Sequence, residues 1–253
     1  MTDDEALARL RRAGVTEAGW HLRRLREVEG FDAALTRVCA GMPLFRAIGR
    51  REVGGLVFDV SPDTLEPRDD TMALVELAFR HAPTDARFAD LGTGTGLVGL
   101  SLAWDLPGGR GILTDASEGA LEVARSNAER LRLADQITVV LGSWLEPLDG
   151  TFDFIVSNPP YIRTDVIPTL DASVRDHDPH LALDGGADGL EAYRAILRDA
   201  AGYLREGGFV ALEIGYDQRE AVRALAERHG WRLFDERRDL NGHVRALAFH
   251  VDG

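Results

Sequence analysis

The chain has 253 residues, 45% hydrophobic and 28% charged, which suits one large domain or a domain with a small appendage, able to bury a core without disulfides. Its single cysteine, Cys39, excludes an internal disulfide and a cysteine-built zinc cluster. A formal net charge of −13 argues against direct nucleic-acid binding, and no apolar run approaches a membrane span.

The opening MTDDEALARL lacks a basic stretch followed by an apolar one, so no secretion signal is expected; a cytoplasmic monomer is. Residues 1–49 read as a small helical domain. Leu7, Leu10, Leu22, Leu25, Val28, Leu35 and Val38 recur at helical spacing, and Gly14, Gly19, Gly30 and Gly41 punctuate the helices. Arg23, Arg24 and Arg26 read as a solvated helix face. Residues 50–70 read as a β-hairpin and linker, because Gly54-Gly55 separates Val53 from Val57 and the chain then passes Pro62 and Pro67.

From residue 71 to 253 a helix leads into alternating strands and helices. Strands are expected at 87–91, 111–114, 137–141, 152–157 and 209–214. Helices are expected at 97–105, 117–131 and 190–204. Two last strands, 231–235 and 244–251, lack a helix between them and suggest an antiparallel edge pair. The pattern predicts an α/β fold: a doubly wound, mostly parallel seven-stranded sheet covered on both faces.

Phe88-Ala-Asp-Leu-Gly-Thr-Gly-Thr-Gly-Leu-Val-Gly99 runs from strand to helix. Gly92, Gly94 and Gly96 allow a tight turn and close ligand approach, and the helix start offers free N–H groups to a carboxylate. Asp90 can pair with a ligand ammonium, and Asp115, ending the next strand, can accept from ribose hydroxyls. Gly94, Gly96 and Gly99 also match the dinucleotide fingerprint, so the glycines leave NAD and S-adenosylmethionine open; Asp90-x-Gly92-x-Gly94 favours the methyl donor.

The buried strand Phe152-Asp-Phe-Ile-Val-Ser157 enters Asn158-Pro159-Pro160-Tyr161. In a doubly wound sheet this strand lies beside the glycine-turn strand, where the order reverses and ligands bind. Asn158 supplies a side-chain carbonyl, Pro159 a carbonyl in a stiff frame, and Tyr161 a flat face. Two acceptors suit the two N–H bonds of an amide or aromatic amine. Asp176-His-Asp-Pro-His180 could hold a metal, but reads as a solvent-facing loop; no metal is expected.

Taken together, several segments resemble the HemK-type glutamine N5-methyltransferases. They are Pro43-Leu-Phe-Arg-Ala-Ile-Gly49, Leu65-Glu-Pro-Arg-Asp-Asp-Thr71, Val156-Ser-Asn-Pro-Pro-Tyr-Ile162, Pro179-His-Leu-Ala-Leu-Asp-Gly-Gly-Ala-Asp-Gly-Leu190 and Asp239-Leu-Asn-Gly-His-Val-Arg245. The resemblance implies a Rossmann-like enzyme that methylates the glutamine of the Gly-Gly-Gln motif in a peptide chain release factor, leaving S-adenosylhomocysteine. It implies cofactor contacts at Gly92, Thr93, Gly94, Thr95, Gly96, Asp115, Trp144 and Asn158, and acceptor contacts at Asn158, Pro159, Pro160 and Tyr161. Trp144 reads equally as an adenine neighbour and as a core aromatic. Three features depart from the pattern: a helical region shorter than usual, Met72 where an acid is usual, and Ser143 where Asp is usual. The alternatives are a paralogue acting on a nucleobase or small-molecule amine, a nucleotide-dependent oxidoreductase, and a non-catalytic relative that binds a translation partner.

Overall fold

Four short helices open the chain in the computed structural model, which describes residues 1–251. They are α1 (Asp3–Arg12), α2 (Ala18–Arg26), α3 (Phe31–Cys39) and α4 (Leu44–Ile48). Their apolar stripes meet in a core of their own, built on Leu10, Leu22, Leu25, Leu35 and Val38. Thr2 and Glu5 cap α1 reciprocally and satisfy two amides that its first turn leaves free. Arg26 reaches Asp3 at 2.7 Å and lies over the Phe31 ring, so part of the arginine cluster staples this unit together.

Strands β1 (Arg50–Val53) and β2 (Leu56–Asp59) form the expected hairpin. Gly54 and Gly55 turn it with φ of 59° and 79°, the two left-handed residues of a type I′ turn. A Cβ on Gly54 would stand 2.7 Å from Met72 Cε, so Met72 fills the space beside the turn. The position where an acid is usual therefore has a packing role here.

The rest of the chain runs α5 (Met72–His81), β3 (Arg87–Leu91), α6 (Leu97–Asp105), β4 (Arg110–Asp115), α7 (Glu118–Arg130), β5 (Ile137–Leu141), β6 (Phe152–Ser157), α8 (Ala172–Arg175), α9 (Glu191–Asp199), β7 (Leu204–Glu213), α10 (Arg219–Arg228), β8 (Trp231–Arg238) and β9 (Val244–Val251). Seven of these strands form one sheet in the order β5-β4-β3-β6-β7-β9-β8, with β9 antiparallel to both neighbours and the others parallel. This is the doubly wound sheet that the alternating pattern predicts. The order reverses between β3 and β6, where Leu91 pairs with Ser157. Gly92 and Asn158 consequently leave the sheet side by side.

Alternate residues of the central strands enter two cores, one on each face. Phe88, Phe154 and Phe209 stack in one, with ring centroids 5.3 and 5.1 Å apart. Ala89, Ile155, Leu212 and Trp231 enter the other, and Trp231 donates its indole N–H to the Leu197 carbonyl at 2.8 Å.

The stretch between α9 and β7 differs most from the sequence reading. The helix expected to run to residue 204 ends as α9 and a 3-10 turn, and β7 already begins at Leu204. The register jumps from Leu204↔Phe152 to Phe209↔Phe154, so Arg205–Gly208 bulge out and look turn-like in sequence. The last two strands form the expected antiparallel pair at one edge of the sheet, with β8 outermost and β9 between it and β7. Among the described residues, no helix is long and apolar enough to cross a membrane.

Candidate active site

Beyond β3 the chain turns through Gly92, Gly94 and Gly96 at φ of 67°, 56° and 84°, a region that residues with a Cβ rarely occupy. Asp90 holds this turn from beneath. Its Oδ2 accepts from Thr93 Oγ1 at 2.6 Å and from the Gly99 amide at 2.9 Å. Burial pushes the Asp90 carboxyl up to about 6, against the pull of those two bonds. Asp90 lines the adjoining cavity, as a ligand partner would, but one of its oxygens is committed to the turn. A Cβ on Gly99 would stand 2.7 Å from Leu113 and 3.0 Å from Asp90 Oδ2. The last glycine of the dinucleotide-like match thus serves the packing of α6 against β4.

Asp115 clamps the turn from the next strand. Its Oδ2 accepts from the Gly94 amide and its Oδ1 from the Ser117 amide, both at 2.9 Å. Asn127, fully buried on α7, donates to the Thr95 carbonyl at 2.8 Å and to the Asp59 carbonyl at 3.2 Å, tying the hairpin to the turn. Trp144 has φ of 49°, and its ring packs 3.5 Å from where a Cβ on Gly92 would lie. It rests on one core and lines the cavity, so the two readings of this residue are compatible.

The cavity above the turn measures about 580 Å³. Asp90, Gly92, Thr93, Gly94, Thr95, Asp115, Trp144, Asn158 and Pro160 all line it, with Ser143 beside Trp144. A second cavity of about 280 Å³ adjoins it, lined by Asn158, Pro159, Tyr161, Glu213 and Arg245. Asn158 belongs to both, as do Leu65, Arg68 and Ala182. Two expected site residues sit elsewhere than the pattern suggests. Pro160 faces the larger cavity rather than the smaller. Gly96 lines neither; it starts α6, where a Cβ would meet Leu100 at 2.6 Å.

The amide of Asn158 is oriented by its neighbour. Nδ2 donates to Thr71 Oγ1 at 3.3 Å, which turns Oδ1 away from Thr71. Gln218 supports the segment from behind: its Nε2 donates to the Tyr161 carbonyl at 2.9 Å and to the Gly189 carbonyl at 3.2 Å. The Tyr161 hydroxyl donates to Glu213 Oε1 at 3.3 Å, and burial pushes the phenol's pKa up.

Residues 162–190 roof both cavities through Pro179, Leu181, Ala182 and Leu183. Backbone bonds between Ile162 and both Leu183 and Gly185, at 3.0 and 2.8 Å, close the base of this loop. Its tip is latched by Asp178, which is buried. Asp178 pairs with Arg46 of α4, accepts from Arg68 at 3.0 Å, and accepts from the Glu66 amide at 3.2 Å. His180 stands exposed, 3.8 Å from Asp184, and no group of three or more metal-ligating side chains converges among the described residues. Thr71, Glu213, Arg245, Gln218 and Asp178 escape a reading of the sequence as site residues. Two of them, Thr71 and Arg245, each end a segment that carries the resemblance, Asp178 stands just before another, and that proximity is the available signal.

A glycine turn and an Asn-Pro-Pro-Tyr strand end meeting at the sheet's reversal point define a Rossmann-like methyltransferase. A family model described as methyltransferase small domain matches residues 69–175. A release factor glutamine methyltransferase of Agrobacterium fabrum is 46% identical over 223 residues, covering 86% of this chain and 77% of that protein. The chain belongs to the release factor glutamine methyltransferase family. A relative of that name from Geobacter sulfurreducens is 39% identical and covers 96% of this chain and 90% of that protein, so the alignment reaches into the helical unit. Among solved structures, a methyltransferase from Pyrococcus furiosus matches with a TM-score of 0.60 at 22% identity, covering 78% of this chain and 89% of that one, a likeness of fold.

Proposed function

We propose that the protein transfers a methyl group from S-adenosylmethionine to the side-chain amide nitrogen of a glutamine, the one in the Gly-Gly-Gln motif of a peptide chain release factor. The observation that carries this reading is the position of Asn158 in the wall of both cavities.

The larger cavity fits the donor. Its volume lies within the roughly 300–1,000 Å³ of small-molecule sites. The side-chain-free face of Gly92 and Gly94 lets a ligand reach the backbone, and Asp90 and Asp115 supply carboxylates for an ammonium and for ribose hydroxyls. Trp144 offers a flat apolar wall for an aromatic base. Bound there, S-adenosylmethionine supplies an electrophilic methyl group on a sulfonium.

The smaller cavity fits a slender amide side chain. Leu65, Ile162, Leu170 and Val174 make one part of its wall apolar, suited to the methylenes of glutamine. Asn158 Oδ1 and the Pro159 carbonyl accept the two N–H bonds of the amide. That grip orients the nitrogen lone pair toward the donor cavity and opposes its delocalisation. Orientation of this kind contributes up to about 7–11 kcal/mol to lowering a barrier. The net charge of −13 favours a protein acceptor over a nucleic-acid one.

The test is mass spectrometry of release factors incubated with enzyme and donor. A one-methyl gain on the Gly-Gly-Gln peptide, lost with Asn158→Ala, is expected. Tight donor binding with no gain on any release factor would overturn the assigned acceptor.

A further inference from the structure

Glu213 ends β7, the strand beside β6, and lines the smaller cavity with Asn158 and Tyr161. It is 3% exposed. Its Oε1 accepts from the Tyr161 hydroxyl at 3.3 Å. Its Oε2 is buried and, among the described residues, lacks a well-formed hydrogen bond. Buried polar atoms are rarely left this way, so the position has a reason other than stability.

Thr71 is hydrogen-bonded to Asn158 and stands close enough to this carboxylate for its hydroxyl to act on it. The Thr71 oxygen is taken by Asn158 Nδ2, and a hydroxyl has a single proton to give. That proton needs an acceptor on its other side, and the Thr71 hydroxyl acts on the Glu213 carboxylate, favouring its charged form. An ionised carboxylate can only accept, so the direction of every bond in the chain is set by its far end. An Asn158 amide turned the other way would present N–H to the N–H of an acceptor amide.

We propose that Glu213 is a positioning residue of the acceptor site: its carboxylate draws the Thr71 and Tyr161 hydroxyl protons toward itself and thereby holds the Asn158 carbonyl oxygen toward the substrate. The proposal rests on the reading of Asn158 as the holder of an acceptor amide. Facing Glu213 are Tyr161, Tyr193 on α9, Arg245 on β9 and Asp70 before α5, and Arg68 lines the same cavity and acts on Tyr161. Burial pushes the Glu213 carboxyl up to about 7; Thr71, Arg245 and the Tyr161 hydroxyl oppose this, and Asp70 adds to it. The role needs the charged form, so kcat rises as pH rises through about 7.

The experiment measures kcat and KM on a release factor, from about pH 5.5 to 8.5, with donor Kd by calorimetry. It compares wild type with Glu213→Gln, Thr71→Val and Thr71→Ser. Glu213→Gln is expected to lower kcat about 10- to 100-fold, to erase the rise near neutrality, and to leave donor Kd within about twofold. Thr71→Val lowers kcat in the same way, and Thr71→Ser restores most of it. A Glu213→Gln enzyme with the wild-type kcat and pH profile overturns the proposal and leaves the proposed function standing. A wild-type enzyme that binds donor but methylates no glutamine overturns both. If Glu213→Gln does not fold, Thr71 decides: Thr71→Val at the wild-type kcat overturns the proposal.

Discussion

The two cavities are built from different materials. The donor side is made of backbone: a left-handed glycine turn whose amides and shape are held by Asp90 and Asp115 at 2.9 Å. The acceptor side is made of side chains gathered from β6, β7, β9 and the linker, and one of its buried oxygens lacks a well-formed bond. A backbone site suits a ligand that every catalytic cycle brings back unchanged in kind. A side-chain site sets the identity of what is methylated, because charge and hydrogen-bond direction discriminate more sharply than shape.

Four changes would break or sharpen this division. The largest effect is expected from Asp178→Ala. It strips the buried Arg46 of its carboxylate partner, and such uncompensated charges cost about 3–5 kcal/mol. Thermal unfolding should fall accordingly, and the acceptor KM should rise as the roof loosens. An unchanged Tm would show that the latch does not hold the roof.

Asn158→Ala is expected to lower kcat about 100- to 1,000-fold, the loss seen when a preorganised polar group at a reacting centre is removed. Donor Kd should change far less. Equal losses in both would dissolve the distinction between the two cavities.

Gly96→Ala tests the donor side. The new methyl would meet Leu100 at 2.6 Å at a φ of 84°, a strain of about 1–3 kcal/mol. Weaker donor binding is expected, with the KM for acceptor nearly unchanged; calorimetry and kinetics together check it.

The smallest effect concerns pH and stability. Asp90 and Glu213 are raised from 3.8 and 4.5 to about 6 and about 7 in the folded protein. The folded state therefore binds more protons than the unfolded one. Their contribution is fully present below the ordinary carboxylate pKa and is lost as pH rises through 6 to 7. The Tm of Glu213→Gln minus that of wild type should accordingly grow by a few degrees across this window. A constant difference would show that Glu213 is not shifted.

The glycine turn was largely legible in the sequence, since a left-handed turn writes itself as Gly92, Gly94 and Gly96 and a strand end writes itself as Asp115. The acceptor side was legible only where the chain is locally unusual, at Asn158 to Tyr161. Glu213 is a single charged residue at a strand end, indistinguishable in sequence from dozens of surface charges, and Arg245, near a strand start, is marked only by ending a segment that carries the resemblance. They become site residues because β7 lies next to β6 and β9 next to β7, a pairing set by long-range topology. Asp178 was hidden differently: it stands between two histidines of a polar loop, and its burial depends on Arg46, 132 positions away. The start of β7 was obscured by Gly207 and Gly208, which spell a turn while forming a bulge.

The latch at Asp178 also bears on how this molecule can be taken apart. Its carboxylate is shared by the last helix of the amino-terminal unit, the linker and the roof of the site. The helical unit has its own core, yet it is not an interchangeable cassette. Grafting it from a protein without an arginine at this place, or clipping it away, would leave the roof with only the linker's share of its anchor. Any variation in this unit is thereby constrained at Arg46 even where the rest of its surface is free to change.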